Sequence, residues 1–274
     1  MSGISHRAAV LGSPIEHSRS PLLHNAGYRE LGLDDWEYGR FECTAEQLPE
    51  RVSGLGDSYV GFSVTMPAKF AALEFADEVS DRAHQIGSAN TLVRTSSGWR
   101  ADNTDCDGIA GALRELLAAK SPAGMHALVL GGGGTARPAL WTLANEGVAK
   151  LTVLNRSDKR AELAPLATAH GAEFEMGDFS GDLEKIALSA DLIVSTLPAG
   201  VLAGMERQLA HAPVFDVLYE PWPTPLTVQA AANGHRSVGG HVMLAHQAYG
   251  QFEQFTGIAA PREAMWQALE KSLS

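Results

Sequence analysis

A glycine-rich turn at residues 131–136 constrains the fold of this chain more than any other feature. An apolar run, Leu128–Leu130, precedes the turn, and a helical pattern over 137–145 follows it. The order of strand, turn and helix matches the G-x-G-x-x-G/A fingerprint of dinucleotide-binding proteins. Gly131 permits the tight turn, and Gly133 permits close approach to a pyrophosphate, which the helix N-terminus attracts. The segment predicts a nucleotide site in a parallel α/β domain; the alternative is a flexible glycine-rich loop.

The end of the next predicted strand bears on which nucleotide binds. An acidic residue there usually holds the 2′-hydroxyl of NAD, but this chain has Asn155, Arg156 and Ser157, with a second arginine at Arg160. Arginine binds phosphate through two parallel hydrogen bonds, so the segment favours NADP over NAD. Asp158 argues the other way, because a carboxylate repels a phosphate and could hold a ribose. The competing interpretation places Asp158 in the first turn of a helix that Ser157 caps.

Short apolar runs alternate with helical patterns from end to end, which predicts an α/β protein with parallel strands. We expect two lobes with a cleft between them, and clefts of that kind are favoured ligand sites. Residues 1–106 with 242–274 are predicted to form a substrate-binding α/β domain. Residues 107–241 are predicted to form a Rossmann-type, doubly wound dinucleotide-binding domain, after a turn-rich break at 120–124. From 242 onward the sequence predicts two helices and no strand, so these helices are expected to pack on the first domain.

The individual strands and helices can also be predicted from the apolar spacing. The predicted strands are 8–11, 36–41, 59–64, 91–94, 127–130, 151–154, 192–195, 214–217 and a short piece near 237. Helices are predicted from Pro21, over 78–86 and over 107–119. Parallel strands bring their carboxyl ends to one edge of a sheet, which is where α/β proteins place ligand contacts.

Charge and composition argue against several classes of function. The formal net charge of −11 argues against nucleic-acid binding, because phosphate contacts need clustered basic residues. No apolar run approaches the ~18 residues of a membrane helix, and residues 1–7 lack the apolar segment of a signal peptide. Cys43 and Cys106 form neither a disulfide framework nor a metal-binding pattern. We therefore predict no metal site, a cytoplasmic location, and a core position for Cys106.

Lys69 and Asp105 are the candidate catalytic residues. Lys69 follows a predicted strand and Pro67, and Asp105 stands two residues before the predicted helix 107–119. A ketone that accepts hydride develops negative charge on its oxygen, and a positioned ammonium group stabilises that charge and supplies the proton. A neighbouring carboxylate keeps the lysine charged and oriented. The competing interpretations are a surface lysine after a turn and an aspartate that caps a helix.

The loop that follows the first predicted strand holds further candidates. Ser18 and Ser20 could donate hydroxyl hydrogen bonds to a carboxylate. Ser20 could equally cap a helix that begins at Pro21. His17 and His24 are candidate bases, although each alone is expected to be structural.

Six segments, in order and over nearly the whole chain, resemble the shikimate dehydrogenase family. They are Gly12–Pro21, Val64–Lys69, Gly87–Thr91, Asn103–Asp105, Asp216–Leu226 and Gly240–Gln247. One such segment alone would be weak, but six in sequence are specific. The chain departs from the family at Ser63, where asparagine is frequent, and at Gly132 and Pro138, where alanine is usual.

The resemblance implies NADPH-dependent reduction of 3-dehydroshikimate to shikimate, a step of aromatic amino-acid and chorismate biosynthesis. Lys69 and Asp105 would be the catalytic pair. The substrate would contact Ser18, Ser20, Thr65, Lys69, Asn90, Asp105, Tyr219 and Gln247. The cofactor would contact Gly131, Gly133, Gly134, Thr135, Ala136, Asn155, Arg156, Ser157, Arg160, Thr196, Leu197, Leu218, Gly240 and Met243.

Two alternatives stay open from the sequence. A quinate/shikimate dehydrogenase that prefers NAD is supported by Asp158, whereas a non-enzymatic nucleotide-binding sensor on the same fold is opposed by the intact Lys69 and Asp105. The expected partner is a small-molecule substrate, with no nucleic acid and no membrane, and the protein is expected to be a monomer or a homodimer.

Overall fold

The computed structural model describes residues 3–273, which divide into two compact units. Within these residues, the first unit comprises 3–104 and 244–273, and the second comprises 105–243. Each junction lies two residues from the boundary that the sequence suggested. The second junction falls inside a continuous helix, Gly240–Thr256, which is why no turn or linker marks it in the sequence.

The elements are numbered in chain order. The strands are β1 (His6–Gly12), β2 (Trp36–Glu42), β3 (Tyr59–Val64), β4 (Glu78–Val79), β5 (Thr91–Thr95), β6 (Gly98–Asp102), β7 (His126–Leu130), β8 (Lys150–Leu154), β9 (Glu173–Gly177), β10 (Leu192–Ser195), β11 (Val214–Asp216) and β12 (Ser237–Gly239). The helices are α1 (Ser20–Glu30), α2 (Leu48–Gly54), α3 (Lys69–Phe75), α4 (Asp81–Ile86), α5 (Asp105–Leu116), α6 (Ala136–Asn145), α7 (Arg160–Thr168), α8 (Leu183–Leu188), α9 (Glu206–Leu209), α10 (Pro225–Ala232), α11 (Gly240–Thr256) and α12 (Arg262–Leu273).

The first unit contains a mixed sheet of order β2-β1-β3-β5-β6-β4. Strand β1 pairs in parallel with β2 and β3, but β5 runs antiparallel to both β3 and β6. The prediction of parallel strands throughout is therefore wrong for this unit. Only residues 96–97 separate β5 from β6, and such a short connection forms a hairpin and cannot cross over to a parallel position.

The segment 78–86, predicted as one helix, forms a short strand and a helix in the structure. Its first residues form β4, and α4 begins only at Asp81. The hydroxyl of Ser80 accepts a hydrogen bond from the backbone N–H of Ala83 at 3.3 Å, which caps the helix. The cap fixes the start of the helix because serine satisfies a backbone donor that would otherwise lack a partner.

The C-terminal helices complete the core of the first unit, as the sequence predicted. Helix α12 packs along α1, and Phe252, Phe255 and Met265 lie in one apolar cluster with Leu23 and Tyr28. These side chains are buried almost completely. Burying an aromatic or large aliphatic side chain contributes roughly 1.5–3 kcal/mol, so the C-terminal helices hold the first sheet in place.

The second unit contains a fully parallel sheet of order β12-β11-β10-β7-β8-β9. The strand order reverses between β7 and β10, which defines the switch point of a doubly wound fold. The prediction of a Rossmann-type domain is thereby confirmed. Strand β9 and helices α8, α9 and α10 lie outside the predicted elements. Along β9, exposed Glu173 and Glu175 alternate with half-buried residues, so this edge strand lacks the apolar run of its neighbours.

Candidate substrate and nucleotide sites

The first candidate region lies where β1 and β3 end, in the first unit. The backbone N–H of Thr65 donates to the carbonyl of Leu11 at 2.8 Å, and that of Ser13 donates to Met66 at 3.0 Å. The two loops that follow these parallel strands therefore run side by side. They carry the predicted substrate residues Ser18 and Ser20 on one loop and Thr65 and Lys69 on the other.

Ser20 is buried and is the first residue of α1. The residue in the capping position is Arg19, and its side chain makes no capping bond. The interpretation of Ser20 as the helix cap is therefore wrong. The backbone N–H of Ser20 lies 3.4 Å from the hydroxyl oxygen of Ser18, and the Ser20 side chain opposes the rise in the pKa of Tyr38 that burial causes. The structure thus brings the two serines together.

Lys69 is the first residue of α3 and is half-buried. Its carbonyl oxygen accepts a hydrogen bond from the N–H of Ala89 at 3.0 Å. This bond fixes the backbone of Lys69 against the segment that ends in Asn90. Lys69 follows the turn at 66–68, as the surface-charge interpretation expects, but it opens α3 and is half-buried, so it is not fully exposed.

Asn90 is the centre of a buried polar cluster. Its Oδ1 accepts from the backbone N–H of Thr104 at 2.7 Å and from the hydroxyl of Thr91 at 2.7 Å. Its Nδ2 donates to the hydroxyl of Thr104 at 3.0 Å and lies 3.5 Å from Oε1 of Gln247. The structure therefore unites Asn90 and Gln247, which stand 157 residues apart in sequence.

Asp102 secures the strand that leads to Thr104. Its carboxylate accepts two bonds from Arg82, at 2.7 and 2.6 Å, and one each from Ser80 and Gln254, at 2.6 and 2.7 Å. Burial alone would raise the pKa of this carboxyl group, but the charge and hydrogen bonds of Arg82, with the bond from Ser80, hold the pKa well below its usual range. Asp102 is thus a support that is ionised at physiological pH.

Asp105, the second catalytic candidate, is buried and is the first residue of α5 in the second unit. The predicted start of this helix at 107 is two residues late. Asp105 therefore stands within the first turn and not ahead of the helix. The catalytic candidates belong to different units, and their pairing stays a prediction.

The glycine-rich turn lies between β7 and α6 at the switch point of the second sheet. Gly131 has φ of +102°, which L-residues other than glycine rarely adopt. A Cβ at this position would come 2.6 Å from the hydroxyl oxygen of Thr196 and 3.0 Å from Cδ2 of Leu197. The structure thereby brings the predicted cofactor residues Thr196 and Leu197 against the turn.

The opposite side of the turn is open. A Cβ at Gly133 or Gly134 would meet no described heavy atom within 4 Å. Thr135 occupies the capping position of α6 and makes no side-chain capping bond within residues 3–273, whereas Ala136 is fully buried. The turn therefore leaves room for an anion at the N-terminus of α6, as a phosphate site requires.

The end of β8 carries the residues predicted to select the nucleotide. Nδ2 of Asn155 donates to the carbonyl of Ser157 at 2.9 Å. Arg156 is exposed and has no hydrogen bond or ion pair with any residue between 3 and 273. Arg160 is partly engaged, because its guanidinium donates to the carbonyl of Met176 at 3.1 Å and lies over the ring of Phe174.

Asp158 has a local role. Its Oδ1 accepts from the backbone N–H of Arg160 at 2.8 Å. Helix α7 begins at Arg160 after Lys159, which provides no side-chain cap. The interpretation of Ser157 as the cap and of Asp158 as a first-turn residue is therefore wrong. Asp158 instead closes the turn that precedes the helix.

The last group of predicted residues lies after β11 and at the start of α11. The N–H of Gly240 donates to the carbonyl of Leu218 at 2.9 Å, and a Cβ at Gly240 would overlap the carbonyl of Val217. Leu218 and Gly240 are therefore in contact. Met243 is buried and Tyr219 is half-buried.

Asp216 anchors the loop after β11. Its carboxylate accepts from the N–H of Leu218 at 3.2 Å and from the hydroxyl of Thr224 at 2.9 Å. Burial raises the pKa of this carboxyl group, and the bonds from Leu218, Thr224 and Ser195 oppose that shift. The bonds hold in place the strand end that precedes Tyr219.

The two candidate histidines have different surroundings. His24 is fully buried, and its ring stacks on that of Tyr38 with centroids 4.1 Å apart. Burial lowers the pKa of His24 to about 3, so the ring is neutral at physiological pH and belongs to the core, as expected. His17 is exposed. Cys106 is buried in α5, which confirms its predicted core position.

Sequence reasoning missed the buried residues that support Asn90. Tyr38, Ser63 and Gln251 were not among the predicted site residues. Ser63 stood out only as a departure from the family pattern. Gln251 follows Gln247 by four residues and so lies on the same face of α11, a spacing that could have identified it.

Within residues 3–273 there is no group of three or more histidine, cysteine, aspartate or glutamate side chains that could hold a metal ion. In the same range, the helices are too short or too polar to cross a membrane.

Comparison with known proteins identifies the family. The family described as the shikimate dehydrogenase substrate binding domain matches residues 10–92, and that described as the shikimate 5′-dehydrogenase C-terminal domain matches residues 240–270. The shikimate dehydrogenase (NADP(+)) of Methanothermobacter thermautotrophicus is 34% identical over 285 residues, which cover 100% of this chain and 99% of the relative.

Solved structures similar to this chain include members of the same family. The shikimate dehydrogenase of Mycobacterium tuberculosis is 54% identical with a TM-score of 0.91, covering 97% of this chain and 99% of the other. Shikimate 5-dehydrogenase of Thermus thermophilus, in complex with shikimate, is 32% identical with a TM-score of 0.83, covering 98% and 99%. The chain belongs to the shikimate dehydrogenase family.

Proposed function

We propose that this chain catalyses the reversible, NADPH-dependent reduction of 3-dehydroshikimate to shikimate, a step of aromatic amino-acid biosynthesis. The observation that carries the proposal is the polar cluster around Asn90, which joins Gln247 and Thr104 beside the backbone of Lys69. The relative from Methanothermobacter is named for this activity with NADP(+), and the structure from Thermus holds shikimate.

The substrate is a carboxylate that bears ring hydroxyl groups, and the first unit offers donors for both. The hydroxyls of Ser18 and Ser20 donate to the carboxylate, with Tyr219 near it. The amides of Asn90 and Gln247, together with Thr65, bind the ring hydroxyls. The adjacent positions of Ser18 and Ser20, and the 3.5 Å approach of Asn90 to Gln247, support this assignment.

Lys69 and Asp105 act as the proton-handling pair in this proposal. Two contacts support it: the carbonyl of Lys69 bonds to Ala89, and Asn90 bonds to Thr104, the residue before Asp105. Nζ of Lys69 donates its proton to the oxygen at C3 as negative charge develops there. Asp105 accepts a hydrogen bond from that ammonium group and orients it. In the oxidation direction Lys69 takes the proton from the C3 hydroxyl of shikimate.

The residues at the switch point fit NADPH, which supplies the hydride when bound. The open space beside Gly133 and Gly134 and the N-terminus of α6 suit the pyrophosphate. Arg156, exposed and without a partner in residues 3–273, suits the 2′-phosphate. Asp158 is turned to its own backbone by the bond from Arg160, which supports NADP over NAD.

A comparison of four substrate and cofactor pairs tests this proposal. Steady-state kcat/KM is measured for shikimate and quinate, each with NADP+ and NAD+. We expect the pair of shikimate and NADP+ to be highest. A higher value with NAD+ would support the quinate/shikimate alternative, and absence of turnover despite nucleotide binding would support the sensor alternative.

We further propose a cytoplasmic location and a monomeric or homodimeric state. Cys43 and Cys106 are buried and neither forms a disulfide, which suits a reducing compartment. Sedimentation equilibrium across a concentration range separates monomer from dimer, and a larger assembly would contradict the proposal.

A further inference from the structure

A chain of buried hydrogen bonds runs through the interior of the first unit. The phenol of Tyr38 lies 2.5 Å from the hydroxyl of Ser63, which lies 2.7 Å from Oε1 of Gln251. Nε2 of Gln251 lies 3.0 Å from the carbonyl of Asn90 and 3.1 Å from the hydroxyl of Thr91. All five residues are buried. The elements β2, β3, β5 and α11 are thus connected through side chains alone.

The donor and the acceptor of each hydrogen bond in this network can be assigned, starting from Asn90 and Thr91. Oδ1 of Asn90 accepts from the backbone N–H of Thr104, so the hydroxyl of Thr91, which also faces Oδ1, must donate to it. The Thr91 oxygen then accepts from Nε2 of Gln251, whose second acceptor is the carbonyl of Asn90. Because Nε2 of Gln251 faces Asn90 and Thr91, its Oε1 faces Ser63, and the Ser63 hydroxyl must donate to that oxygen.

The same logic continues to the other end. Because Ser63 donates to Gln251, its oxygen accepts from the phenol of Tyr38. The Ser20 side chain lies beside this phenol. The network therefore has one consistent arrangement of protons from Tyr38 to Asn90, the residue proposed above to bind the ring hydroxyls.

We propose that Gln251 is a positioning residue for the substrate: with Ser63 and Tyr38, it holds the hydroxyl-binding Asn90 in a preorganised position. The inference rests on the proposed function, because it takes the substrate role of Asn90 from there. Ser63, where the family often has asparagine, acquires a role as the link between Tyr38 and Gln251.

Burial makes the loss of any hydrogen bond in this network costly. A buried donor or acceptor that loses its partner keeps the full cost of desolvation, so the remaining groups rotate to find new partners. Without the amide of Gln251, the Ser63 hydroxyl loses its acceptor, and the carbonyl of Asn90 and the hydroxyl of Thr91 lose a donor. Asn90 then samples other side-chain positions, and the substrate must select the productive one.

The test replaces Gln251 with methionine, which keeps the length of the side chain and removes its hydrogen bonds. Shikimate affinity is measured by calorimetry without nucleotide, and kcat/KM is measured with NADP+. We expect Q251M to weaken the Kd of shikimate by about tenfold and to leave the KM for NADP+ within about twofold. The matched control is Q254M, on the same helix, because Gln254 bonds to Asp102 and not to Asn90. This variant is expected to keep the Kd within about twofold.

A double-variant cycle separates positioning from a general structural effect. If Gln251 acts through Asn90, then N90A and N90A/Q251M have the same kcat/KM within about twofold, because the second substitution removes nothing further. S63A provides a second break in the chain with little change in volume, and it is expected to weaken shikimate binding by about threefold or more.

Three results would overturn the inference: an unchanged shikimate Kd in Q251M and S63A, equal weakening in Q251M and Q254M, or a further loss of about tenfold in the double variant relative to N90A. If instead the wild-type protein neither binds nor oxidises shikimate, the proposed function fails, and with it the premise of the inference. The wild-type measurement therefore distinguishes the two failures.

Discussion

Replacing His24 with phenylalanine should make the first unit less sensitive to acid. The ring of His24 is fully buried and stacks between aromatic neighbours, among them Tyr38 at 4.1 Å and Phe252 at 6.1 Å between centroids. Burial lowers the pKa of His24 from 6.5 to about 3. The folded protein thus keeps the ring neutral over a pH range in which the unfolded chain binds a proton.

The size of the effect follows from linkage. Below pH 6.5 the unfolded chain binds one more proton than the folded protein, so the free energy of unfolding falls as the pH is lowered. The slope approaches ~1.4 kcal/mol per pH unit until the folded pKa is reached. Between pH 7 and pH 5 the contribution of His24 therefore falls by about 2 kcal/mol. For a unit of this size that corresponds to roughly 4–8 °C in Tm.

The assay compares thermal and urea unfolding of the wild-type protein and H24F at pH 7, 6 and 5. We expect the stability of the wild type relative to H24F to fall by about 2 kcal/mol across this range. H17F serves as the control, because His17 is exposed, and its difference from the wild type should not change in that way. Parallel pH profiles for the wild type and H24F would refute the assignment of a neutral, buried ring.

Three further variants test the nucleotide site and the proton-handling pair. R156A should raise the KM for NADPH about tenfold or more and leave the shikimate KM unchanged, whereas D158A should keep the preference for NADP. Steady-state kinetics with both cofactors tests these expectations, and a switch to NAD in D158A would contradict the proposed role of Asp158. G131A should lose NADPH binding in a fluorescence titration, because its φ of +102° strains alanine and the new methyl group would meet Thr196 at 2.6 Å; unchanged affinity would contradict the described turn. D105N should lower kcat by about 10²-fold or more with little change in shikimate affinity, and an unchanged kcat would remove Asp105 from the proposed pair.

Local signals explain how much of the second unit could be predicted. The glycine-rich turn, its preceding strand and its following helix are contiguous, so one window of sequence contains the whole motif. Strand β10, predicted at 192–195, has those same bounds because both of its faces are buried and its first three residues are apolar. Strand β9 was missed because it lies at the sheet edge and carries exposed glutamates.

In the first unit, local sequence patterns could not predict strand β6, its direction or the long-range contacts around Asn90. Strand β6 was missed because its alternation of apolar Trp99 and Ala101 with polar Arg100 and Asp102 spans only five residues and includes no β-branched residue. Its antiparallel direction follows from a two-residue connection that has no strong turn signature. The bond between Ser63 and Gln251 joins residues 188 positions apart, so the supporting network around Asn90 exists only once the chain has folded.

The most direct test of the account is the change in NADPH absorbance when 3-dehydroshikimate is added to the wild-type protein and to K69A. We predict rapid NADPH oxidation by the wild type and a loss of about 10²–10⁴-fold in kcat for K69A, with shikimate affinity within a few fold of the wild type. An unchanged kcat in K69A, or no oxidation of NADPH by the wild type, would contradict the claim that Lys69 protonates the substrate oxygen during hydride transfer.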